Sequence, residues 1–161
     1  MNVQEVDGRR FSSNFEALDL RFLDAGFRRQ SGDEMVLRDD LLDSRAHELG
    51  KRFAQEMETR SHSKKPVSVT PTQLRRLFGE MKRLQREVQR ADQIDPYLAR
   101  IRMLKSKVAY AAGRDNVTTA FEQLINRCIT MVSDKQSYID MVLFVESVVG
   151  FFQRYKEEGA G

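Results

Sequence analysis

Apolar residues along this chain recur mostly every three or four positions, the period of an amphipathic helix. Leu74, Leu77, Phe78, Met81, Leu84 and Val88 form one such stripe, opened by Thr70 or Thr72 as a cap and running to Arg90. Asp95 followed by Pro96 reads as a cap with proline at the first helical position, and Gly113 as a left-handed terminator of the same helix. Asp115 or Asn116 is the expected cap of a third stripe, Val117, Ala120, Phe121, Leu124, Cys128, Ile129 and Val132. Ser133 or Asp134 opens a fourth, carrying Tyr138, Met141, Val142, Val145, Val148, Val149 and Phe152. There Leu143, Phe144 and Phe151 widen the apolar arc, so this helix is either central or has a second partner.

The first third is less regular. Leu37, Leu41, Leu42, Ala46, Leu49, Phe53 and Met57 predict a helix ending near Thr59. Phe11, Phe15, Leu18, Phe22 and Leu23 suggest another from Phe11 to about Phe27, interrupted by Gly26 and Ser31-Gly32-Asp33. Between Arg60 and Pro71, three serines, two prolines and Lys64-Lys65 read as a flexible linker. The predicted fold is therefore all-α, a compact helical bundle of four core helices with one or two additional N-terminal helices. The expected division is an N-terminal helical extension over 1–63 and a basic helical-bundle domain over 64–161.

Composition adds little to that, but charge distribution adds much. The net charge is only +3. Residues 64–114 nevertheless carry 13 Lys and Arg against 4 Asp and Glu, whereas residues 1–60 carry 10 against 13 and residues 115–161 carry 4 against 7. At about 100° per residue, with Leu74 as origin, the apolar side of the 72–90 helix spans roughly 280° to 40°. Arg75, Arg76, Lys82, Arg83, Arg86 and Arg90 fall between roughly 80° and 200°. Only Glu80 and Glu87 interrupt them, and like charges without partners repel, a repulsion that a polyanion relieves. The next helix adds Arg100, Arg102, Lys105 and Lys107, with Arg114 just beyond it. This pattern points to nucleic-acid backbone.

No residues are arranged for catalysis. His47 and His62 have no metal-ligand spacing, Cys128 lies on an apolar stripe, and no glycine-rich phosphate loop exists. Asp39, Asp40 and Asp43 have the D-D-x-x-D spacing that holds magnesium in all-α isoprenoid enzymes, but such enzymes need a large apolar cavity and a second acidic site. The triplet more simply favours a helix N-terminus. No cofactor or metal is expected. One cysteine and the lack of an apolar leader or span fit a cytoplasmic protein.

The run Val69-Thr70-Pro71-Thr72-Gln73-Leu74-Arg75-Arg76, then Leu104-Lys105-Ser106-Lys107-Val108-Ala109-Tyr110-Ala111-Ala112-Gly113-Arg114, then an apolar helix ending Val145-Glu146-Ser147-Val148-Val149-Gly150-Phe151-Phe152, resembles the small subunit of the type III-A CRISPR effector, the Csm complex. The resemblance covers about residues 68–157, leaving the N-terminal extension outside it. It implies a non-catalytic helical bundle, present in several copies beside other Csm subunits, that contacts guide RNA and target RNA. It carries backbone contact onto Arg75, Arg76, Lys105, Lys107 and Arg114. Lys82, Arg83, Arg86, Arg100 and Arg102 rest on charge placement alone. Basic side chains on rigid helices recognise phosphates without reading bases, so sequence-independent binding is expected. The alternative is a helical protein-protein adaptor whose basic face meets an acidic partner.

Overall fold

Two short hairpins open the chain. β1 (Asn2–Val6) and β2 (Arg9–Ser13) are antiparallel, with Val6 opposite Arg9. Asp7 and Gly8 both take positive φ, 50° and 74°, the conformation a two-residue hairpin turn demands and Asp-Gly supplies readily. β3 (Arg28–Ser31) and β4 (Glu34–Leu37) form the second hairpin, where Gly32 takes φ 58°. Later in the chain β5 (Glu58–Arg60) joins β2, placing Phe11 opposite Arg60 and giving a three-stranded sheet in the order β1-β2-β5. The computed structural model describes residues 1–160.

These strands correct the all-α expectation: the molecule is mostly helical, with two small sheets. The aromatic spacing from Phe11 to Phe27 is not a helix. Phe11 belongs to β2, Arg21–Leu23 make one 3-10 turn whose Leu23 is buried, and Phe27 reaches the core from the loop that follows. The following helical run begins at Asp39, two residues after the first residue of its stripe. Leu37 ends β4, a π-helical turn spans Leu41–Arg45, and α1 (Ala46–Gln55) leaves Met57 exposed beyond its end.

Four long helices follow. α2 (Pro71–Arg90) is capped by Thr70, whose hydroxyl accepts from the Gln73 amide. α3 (Asp95–Gly113) starts one residue before Pro96, with Asp95 inside the first turn. Gly113 is its last helical residue, and the left-handed conformation falls at Asp115, φ 60°. α4 (Thr119–Thr130) is capped by Thr118 rather than by Asp115 or Asn116. α5 (Lys135–Ala160) is capped by Asp134, which accepts from the Ser137 amide at 2.7 Å.

α5 is the central element. One side meets α2, where the buried Tyr138 hydroxyl donates to the Met81 carbonyl at 2.7 Å. Its other side is closed by the N-terminal third: Phe144 meets Phe22 edge-on, and α1 crosses so closely that Gly50 lies against the Val148–Phe152 backbone. Phe53 meets Phe121 in the same continuous core. The segment read as a linker is tied at both ends. Val67 pairs with Glu58, Thr70 donates to the Asn116 carbonyl, and Val67 and Val69 are buried.

Candidate nucleic-acid interface

α2 and α3 run antiparallel and are clamped together by charge. Glu80 pairs with Lys107, and Glu87 with Arg100 at 2.7 Å. Both pairs are seven residues apart on each helix, two turns, so the two helices stay in register along the clamp. Lys82 leans the other way, 3.9 Å from Glu146 of α5. The carboxylates of α2 are thus taken by cations of α3.

This leaves Arg75, Arg76, Arg83, Arg86 and Arg90 without an ion pair or hydrogen bond among the described residues, all of them exposed. They occupy the outer face of one rigid helix over about 22 Å of its axis. Opposite them Leu74, Leu77, Met81, Leu84 and Val88 are buried, so the arginines cannot rotate inward without losing the core. Arg90 belongs to this ridge as fully as the others.

The remaining cations sit in different surroundings. Arg102 donates to the carbonyls of Ile129 and Val132, closing the end of α4, and Lys105 donates to the Thr130 hydroxyl at 2.6 Å. Arg114 lies with its guanidinium 5.7 Å from the Tyr110 ring, at the end of the helix pair where Arg75 and Arg76 begin α2. Tyr110 is 67% exposed, so it is part of the surface and not of the packing. Between α2 and α3 lies a cleft of about 280 Å³ lined by Glu80, Arg83, Leu84, Arg100, Met103, Leu104 and Lys107. Met103 had no place in the sequence reading. Its only signal is an apolar residue at an outward position among cations.

The other candidate groups are occupied structurally. Cys128 is buried in α4, and burial pushes its thiol up to about 12. His47 stacks against Phe151 at 4.7 Å and lies 5.5 Å from the Tyr155 ring, whose hydroxyl meets its Nε2, and His62 lies 3.6 Å from Asp115. Asp40 is held by Arg38 at 2.9 Å and Asp39 lies 4.0 Å from Arg29, so two of the three clustered carboxylates face guanidinium groups. Among the described residues no group of His, Cys, Asp or Glu is placed to hold a metal, and no helix is long and apolar enough to cross a membrane.

A family model described as Csm2 Type III-A matches residues 38–158. The chain belongs to that family. It is therefore a small subunit of the type III-A CRISPR effector, the Csm complex. The Csm2 match begins well before residue 68, which corrects the extent read from the motifs. α1 and β5 lie within the family region, and residues 1–37, the two hairpins and the loop between them, fall outside it, as do the last three residues. No curated protein and no solved structure matches the chain.

Proposed function

We propose that this Csm2 chain is a non-catalytic cytoplasmic subunit that holds RNA backbone, that of guide RNA and target RNA, beside further copies of itself and other Csm subunits. The observation that carries this reading is the unpaired arginine ridge of α2. Five guanidiniums are fixed on one helix face while the helix's own carboxylates are drawn to α3. Clustered like charge on a rigid surface is relieved by a polyanion, which releases its own counterions on binding. Guanidinium groups match phosphate oxygens bidentately and carry no base code in that role. Arg75, Arg76, Arg83 and Arg86 are the primary contacts in this reading, extended by Arg90 and, at the α3 end, Arg114. Lys82, Arg100 and Lys107 reach phosphate by exchanging a carboxylate partner, and Arg102 and Lys105 contribute mainly by field, since their donors already serve α4. The division at residue 63 is then one of charge: the acidic 1–63 segment covers α5, and the basic remainder meets RNA.

Arg75→Glu with Arg76→Glu tests this. Both side chains are exposed and unpartnered, so the helical circular dichroism and melting temperature should hold while single-stranded RNA binding falls at least tenfold. Retained RNA binding, or binding of an acidic polypeptide in place of RNA, would favour the adaptor role.

A further inference from the structure

The cleft between α2 and α3 is built unlike the rest of the basic face. Its floor is apolar: Leu84 and Leu104 are buried beneath it, and Met103 stands in its wall with 56% of its surface exposed. A large side chain left so exposed amid arginines gives up burial worth roughly 25 cal/mol per Å². Its rim is charged, with Glu80 and the unpaired Arg83 on one side and Arg100 and Lys107, each paired to a carboxylate, on the other. The clamps Glu87–Arg100 and Glu80–Lys107 reach from one helix to the other, two turns apart, and tie Arg100 and Lys107 to carboxylates of α2. Within the floor the helix amides and carbonyls are bonded to one another, so it offers a flat apolar surface and no edge-reading donors.

We infer that this cleft seats one unpaired nucleobase of the strand whose phosphates lie on the α2 ridge. This rests on the backbone-holding reading above and adds to it that the strand is unpaired where it crosses the α2–α3 cleft. The occupant is argued from charge and shape together. The unpaired Arg83 on the rim selects an anion, an apolar floor selects a flat uncharged group, and a nucleotide joins both within one residue. The base lies against Leu84, Leu104 and the Met103 thioether, sulfur against aromatic ring, and the Arg83 and Arg100 guanidiniums flank its face. Its own phosphate meets Arg83. Such a seat takes any base because it contacts the face and not the edge.

The experiment compares a single-stranded RNA with a strand of the same length in which abasic ribose replaces most bases, using the full chain and fluorescence anisotropy at low salt. The wild-type protein should bind the abasic strand roughly tenfold more weakly, the scale of one stacked base. Met103→Ser should bring intact RNA down to the affinity of the abasic strand and leave the abasic strand's affinity unchanged. Equal binding of the two strands by the wild type, with sensitivity to Arg75→Glu and Arg76→Glu retained, would overturn the seat and leave backbone holding intact. Failure to bind either strand would overturn both. If Met103→Ser weakens both strands equally, the side chain is structural and the seat is likewise refuted.

Discussion

Adding one methyl group at Gly50 tests whether the N-terminal third is truly docked on α5. A Cβ there would lie 2.6 Å from the Phe151 Cβ, 2.7 Å from the Phe152 nitrogen and 2.8 Å from the Val148 oxygen. Two of those atoms are helix backbone and cannot swing away. To restore ordinary contact near 3.5 Å, α1 must move off α5 by roughly 1 Å. That shift loosens the His47–Phe151 stack and the Phe53–Phe121 contact on the same side of α1. Overpacking of this kind costs about 1–3 kcal/mol, and the rigid neighbours put this site near the upper end. Alanine returns about 1 kcal/mol through helix propensity, so Gly50→Ala should destabilise by about 1–2 kcal/mol. In a chain of this length that lowers the melting temperature by roughly 2–8 °C. Gly79 in α2 and Gly150 in α5 provide internal controls, since nothing lies within 4 Å of a Cβ at either. Gly79→Ala and Gly150→Ala should each stabilise by up to about 1 kcal/mol. The assay is urea unfolding of the three variants beside the parent. If Gly50→Ala stabilises as the controls do, α1 does not pack on α5 as described and the reasoning fails.

Arg60 binds the buried Glu58 carboxylate, the Ala112 and Val117 carbonyls and, at 2.8 Å, Asp115, tying β5 to the α3–α4 junction. Arg60→Met should cost about 3–5 kcal/mol by leaving Glu58 buried and unpaired, and adding Glu58→Gln should recover part of that; additive effects in urea unfolding would mean the two are not coupled. Asp134 caps α5, and the Ser137 amide, then the Ser137 hydroxyl, hold its carboxyl below the usual carboxylate range. Its stabilisation is therefore present above the unfolded value near pH ~3.9 and lost as pH falls through the lower folded one. Asp134→Ala should cost about 1 kcal/mol near neutrality and progressively less in acid; a deficit that grows on acidification would refute the cap.

The helices from Pro71 onward were legible because each buries a stripe at period 3.6, and that period survives whatever packs against it. The stripe residues assigned to α2, α4 and α5 are nearly all in the core. The hairpins escaped because β1, β3 and β4 are short and largely exposed, β1 and β3 are mostly polar, and Leu37 of β4 falls in step with the stripe of the next helix, while Phe11, Phe15, Leu18 and Phe22 imitate a helix by spacing alone. Asp7-Gly8 was the available signal, a two-residue turn between alternating strands. In the candidate interface, the arginine ridge could be placed on one face from the wheel. Its neighbours could not be sorted, because Lys107 and Arg100 find Glu80 and Glu87 on another helix, and Arg102 finds carbonyls on a third. Pairing between helices has no period in the sequence. For the same reason Met103 was invisible until the facing wall of the cleft was known.

The central claim is that binding is electrostatic and carried by α2, and the salt dependence of RNA affinity tests it most directly. Five unpaired arginines engaging single-stranded RNA, at about 0.7 per contact, give a slope of log affinity against log salt of about −3.5. Arg83→Ala with Arg86→Ala should make the slope shallower by about 1.4, equally for two RNAs of different composition, whereas Lys107→Ala should change it less because Glu80 already neutralises that side chain. A flat salt response, or a preference for one sequence that persists at high salt, would contradict the account.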